Sequence, residues 1–128
     1  MLKFVAAVTL TVLTALTIVS LPSHAQSNST QTAPDLELFI ALNRAKNLAR
    51  MAAERINGGL GFYRAESSMH GPADDSPYVD NGNGTWTFTF KGGQPDSTTL
   101  TVESVVTVLR DGSQVTVDYN GPVRSTGQ

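Results

Sequence analysis

Histidine and carboxylate side chains carry most of the chemistry open to a small thiol-free protein, and here they gather in one stretch. His70, Asp74, Asp75 and Asp80 lie in or beside Gly71–Gly84, GPADDSPYVDNGNG, whose prolines, paired aspartates and Asn-Gly repeats oppose regular structure. Oxygen ligands on such a loop can turn inward around a hard cation. These four are therefore the candidate metal ligands, and a divalent cation is the one cofactor the sequence suggests. Asp80-Asn81-Gly82-Asn83-Gly84 departs from a calcium loop, since Gly82 stands where an oxygen ligand is required and no glutamate follows at the needed spacing. Glu66, Asp74 and Asp75 could do acid–base work if they converged in a cleft, but adjacent aspartates in a Gly/Pro loop are more often solvated turn formers.

A serine relay needs a histidine beside the nucleophile. His24 falls in an N-terminal targeting segment, which leaves His70, and no serine sits in a Gly-x-Ser-x-Gly elbow. No catalytic residue is assigned. Gly58-Gly59-Leu60-Gly61 follows a helix pattern instead of opening one, so it is no phosphate cradle.

The elements that would position the loop begin with export. Residues 1–25 read as a signal peptide: Lys3, an apolar run from Phe4 to Val19, and the small-x-small site Ser23-His24-Ala25. Threonines dilute that run and it is shorter than the ~20 residues of a membrane span, so cleavage with no stable anchor is expected. The destination is the periplasm or the medium. Residues 26–33 form a polar, disordered spacer, 34–122 one domain, and 123–128 a polar tail. The chain has nine Lys and Arg; without Lys3, eight remain against eleven Asp and Glu, a net charge of −3. That balance gives no case for nucleic acid. With no cysteine, stability rests on packing and hydrogen bonds.

Asp35 to Asn57 is the organising helix. Leu38, Leu42, Ala45, Ala49, Ala52 and Ile56 share one stripe, widened by Ala41, Leu48 and Ala53. Asn43, Arg44, Asn47, Arg50, Glu54 and Arg55 take the opposite side. Thr32 or Ala33 caps it, Pro34 suits its first turn, and Asn57-Gly58-Gly59 stops it. Four strands follow. One lies within Leu60–His70, with Tyr63, Ala65 and Met69 inward. The next spans Thr85–Lys91, with Trp86, Phe88 and Phe90 inward. A third runs from Thr98 to Arg110, with Leu100, Val102, Val106 and Val108 inward. After the Asp111-Gly112 hairpin signal, Val115, Val117 and Tyr119 face the core. Asn83-Gly84-Thr85 reads as a hairpin turn. Val105 and Leu109 fall on the wet face, where they could form a small patch with Phe62 or bury under the loop. The predicted fold is α+β: one N-terminal helix packed on a four-stranded antiparallel meander.

That element order, from Asp35 to Tyr119, resembles the cystatin-like and PepSY-like small exported domains. The resemblance implies secreted domains that inhibit or bind other proteins. The inhibitory Gln-x-Val-x-Gly hairpin of cystatins has no counterpart, since Gln114-Val115-Thr116-Val117-Asp118 lacks both the valine and the glycine. The sequence names no reaction. Its reading is a non-enzymatic exported interaction or binding module, using the Gly71–Gly84 loop and the outer sheet face toward an exported protein partner. The alternative is a cation-binding protein or small hydrolase-like enzyme built on His70, Asp74, Asp75 and Asp80. A third possibility is an apolar ligand held between the helix and the sheet.

Overall fold

The computed structural model describes residues 32–125; the expected signal peptide, most of the spacer and the last three residues lie outside that range. One helix, α1 (Ala33–Ile56), packs on one face of a five-stranded antiparallel sheet. Its strands are β1 (Arg64–Ala65), β2 (Tyr78–Asp80), β3 (Thr85–Gly93), β4 (Val102–Leu109) and β5 (Val115–Pro122). Strand β3 is the hub. One of its edges carries β4 and then β5, and the other carries β2 and β1 end to end along its length.

The sheet therefore has five strands where the sequence pattern predicts four. The additional one is β2, inside the stretch expected to be irregular. Three residues are too few to show an alternation. Its pairing is fixed from outside, by the tight turn that returns the chain into β3. Asn81 N–H donates to Thr85 O at 3.1 Å, and Gly82 and Gly84 supply φ of 77° and 82° in that turn. The segment Leu60–His70, expected to contain a full strand, contributes only the two residues of β1 and then a 3-10 turn at Ser67–Met69.

The core is the predicted meeting of aromatics with alanines. Trp86, Phe88, Phe90 and Tyr63 are each at most 2 % exposed, packed with Ala45, Ala49 and Ala53 of α1. Alanine side chains let the helix lie close to the sheet, and the rings fill what space remains.

The stripe is right in its middle and wrong at its ends. Leu38 is 48 % exposed, because α1 projects beyond the sheet at its N-terminal end, and Ile56 is 55 % exposed even though the neighbouring Asn57 is tied to β5. Two charged residues are buried instead. Glu54, expected on the polar side, takes an ion pair from Arg50 at 2.7 Å, and Lys46 donates to the Gly71 carbonyl. Burial, followed by the nearby Arg50 charge, holds the Lys46 ammonium below its ordinary pKa.

Tyr119 is the other correction. Val105 pairs with Tyr119 while Val106 pairs with Val117, so Asp118 is an extra residue in β5, a bulge. Beyond it the inward–outward parity inverts. Tyr119 lands on the outer face, where the Arg124 guanidinium sits 3.7 Å from its ring centroid. Asn120 turns inward and exchanges side-chain hydrogen bonds with Asn57, at 3.0 and 2.9 Å, tying the end of α1 to β5. In the stretch expected to be a polar tail, Val123 N–H donates to Thr101 O, and Arg124 pairs with Glu103 at 2.5 Å. On that same outer face Val105 lies opposite Tyr119, not against Phe62.

Candidate functional site

Where α1 outruns the sheet, residues 33–40 are exposed on every side. Leu36, Leu38, Phe39 and Ile40, between 39 % and 50 % exposed, make that overhang apolar around much of its circumference. A helix apolar on several faces normally lies against something. Below it, the open end of the sheet and the turn at Ala73–Asp75 form the far wall of a trough of about 270 Å³. Leu38, Phe39, Leu42, Tyr78 and Trp86 supply its apolar lining, and Asp35, Asp74 and Asp80 its carboxylates. Tyr78 and Asp80 reach it because β2 pairs them with Phe88 and Trp86, which puts their side chains on the helix side of the sheet.

Asp80 is fully engaged. One carboxylate oxygen accepts from the Arg110 guanidinium at 2.6 Å and the other from Gly82 N–H at 2.9 Å. The Arg110 guanidinium lies 5.1 Å from the centroid of the Trp86 ring. The Gly82 amide first, and the Arg110 charge with it, hold the Asp80 carboxyl below its ordinary value of 3.8. A depressed folded-state pKa contributes stability above the unfolded value, and that contribution is lost as pH falls through the folded value. The melting temperature of Asp80→Asn is thus expected to trail the wild type by a constant margin above about pH 4, and the margin to shrink as the medium is acidified below it. A margin independent of pH down to pH 2 would refute the assignment.

The four sequence-derived candidates are placed as follows. Asp74 and Asp80 line the trough. Asp75 is exposed in the 3-10 turn. His70 is exposed, with Nε2 3.2 Å from the Ala65 carbonyl, to which that nitrogen can donate. Glu66 is committed elsewhere, accepting from Lys91 N–H at 2.7 Å. Among the described residues no three His, Asp or Glu side chains are grouped so as to hold a metal ion. Nor is any described helix long and apolar enough to cross a membrane.

Sequence reasoning missed the apolar half of the trough. Helical spacing puts Leu38 in the core, and strand alternation gives Trp86 a packing role alone. The available signal was the run Leu36 to Leu42, LELFIAL, whose apolar residues are too many for one stripe.

Fold and trough together define a class: a small α+β protein with one helix across an antiparallel sheet and a solvent-open hollow under the projecting helix end. Comparison with protein-family models, curated proteins and solved structures finds no match to this chain.

Proposed function

We propose that this chain is an exported, non-enzymatic interaction module whose partner seats on the overhang of α1 and the trough beneath it. The observation that supports the reading is the run of exposed Leu36, Leu38, Phe39 and Ile40 beside a concave surface lined by Tyr78 and Trp86. Clustered apolar side chains next to a hollow, rimmed by charge, are the pattern of a recognition surface. Of the two regions the sequence suggested, the Gly71–Gly84 stretch contributes Asp74, Tyr78 and Asp80 to it. The outer sheet face is less suited. Thr87 and Thr107 hydroxyls bond each other at 2.9 Å, Thr107 bonds Asp118 at 2.5 Å, and Arg124 and Tyr119 cover one another.

A photoreactive benzoylphenylalanine placed at Phe39, in the full chain expressed in the organism that encodes it, is expected to yield a discrete adduct on irradiation. The same group at Thr116, exposed on the outer face, is expected to yield none. Equal labelling from both positions, or silence at position 39, would overturn the reading.

A further inference from the structure

The trough has a second wall made of backbone. Thr89 N–H donates to Pro77 O and Asn81 N–H to Thr85 O, so the hydrogen-bonded pairs of the β2–β3 ladder are the odd-numbered residues of β2. Val79 therefore turns its amide and carbonyl toward β3. Tyr78 and Asp80 turn theirs toward the open side, where Tyr78 N–H is already taken by Ser76 O at 2.9 Å. The carbonyls of Tyr78 and Asp80 and the amide of Asp80 are left directed away from the sheet. The opposite edge, β5, is blunted by the Asp118 bulge and ends in Pro122. Strand β2, three residues long and preceded by Pro77, pairs with β3 without a bulge, and it borders the trough.

Resting on the interaction reading above, we infer that the partner contributes an extended segment that adds to the open edge of β2, with aliphatic side chains in the trough and Lys or Arg at its rim. A strand added there stands ~4.8 Å from β2 and sends alternate side chains to the helix side. At about 270 Å³ the hollow is below the usual range for a whole small-molecule ligand, and suits one or two aliphatic anchors. Charge selects the rest. Arg110 balances Asp80, whereas Asp35 and Asp74 form no ion pair with any described residue. Asp35 accepts from the Thr32 hydroxyl at the start of α1, but neither carboxylate has a cationic partner among the described residues. A basic segment would therefore find two unpaired charges at the rim, and an acidic one would meet them with like charge.

The probe is the capped peptide Lys-Thr-Leu-Thr-Val-Thr-Lys, whose alternate residues Lys, Leu, Val and Lys share one face. Trp86, the one tryptophan in the chain, reports from the trough itself. Titration into the full-length protein is expected to give a saturable change in its fluorescence at sub-millimolar peptide. Replacing both lysines by glutamate is expected to weaken binding at least tenfold. Backbone N-methylation of alternate residues is expected to abolish binding in one phase (the Thr set or the Leu and Val set) and to spare it in the other. Leu38→Glu, at an exposed position that leaves the core intact, is expected to lose binding at least tenfold with its melting temperature unchanged. Equal affinity for the acidic peptide, or indifference to N-methylation in both phases, overturns the inference. So does the absence of any saturable change. If that absence accompanies a position-39 adduct, only the strand-addition inference falls; if the adduct is missing too, the interaction reading falls with it.

Discussion

Gly92→Ala is expected to destabilise the protein by about 3 kcal/mol, at the top of the usual range for overpacking. Gly92 is buried in β3, paired between Ala65 of β1 and Val102 of β4. A Cβ at this residue would overlap the Tyr63 ring, meeting its Cζ, hydroxyl and Cε2 atoms. The backbone cannot retreat, because strands hold it on both sides. The ring cannot easily retreat either, since it is 1 % exposed within the core cluster. A close approach of ring to backbone is what demands glycine here, not an unusual φ. Pairing the substitution with Tyr63→Leu is expected to recover at least about 1 kcal/mol relative to the sum of the single costs. Urea unfolding of the four proteins checks this. Additive costs, or Gly92→Ala within about 0.5 kcal/mol of wild type, would show that the Tyr63 ring does not close over Gly92.

Leu42→Asp is expected to leave the protein unfolded or weakened by more than about 3 kcal/mol, while Leu38→Asp and Ile56→Asp stay within about 1 kcal/mol of wild type. All three lie on one stripe of α1 by helical spacing. Only Leu42, 5 % exposed, is enclosed, and a carboxylate there would also face Asp74 and Asp80 across the trough. Thermal melts of the three variants decide the matter. A cooperative, near-wild-type transition for Leu42→Asp would contradict the observed helix–sheet packing.

That contrast shows how far periodicity carries. It finds which side of α1 meets the sheet, because Ala45, Ala49 and Ala53 repeat with the helical turn, and it finds Trp86, Phe88 and Phe90 because they repeat with the pleat. It is silent on how long the partner surface is, so Leu38 and Ile56 look no different from Leu42. It also assumes an unbroken strand. A single inserted residue at Asp118 reverses every assignment after it, and nothing in Val115–Pro122 announces the insertion, since no glycine marks that position. Buried Lys46 and Glu54 were hidden for another reason. Lys46 bonds the Gly71 carbonyl, in chain of irregular structure that has no period to read, and Glu54 pairs with Arg50 of its own helix, a pairing that periodicity does not report. The candidate site was half legible. Its acids, Asp74 and Asp80, stood out by residue type; its apolar wall was concealed because exposed and enclosed leucines are the same letter.

The overhang of α1 has a kinetic consequence. Helices in proteins owe most of their stability to the surface they lie on, and residues 33–40, about 12 Å of axis, have none under them. Their amides should exchange with solvent much faster than those of Ala45 to Ala53, and should slow only when the hollow is occupied. Any occupant then has to order one wall of its own binding site, an entropic cost that lowers affinity and shortens residence.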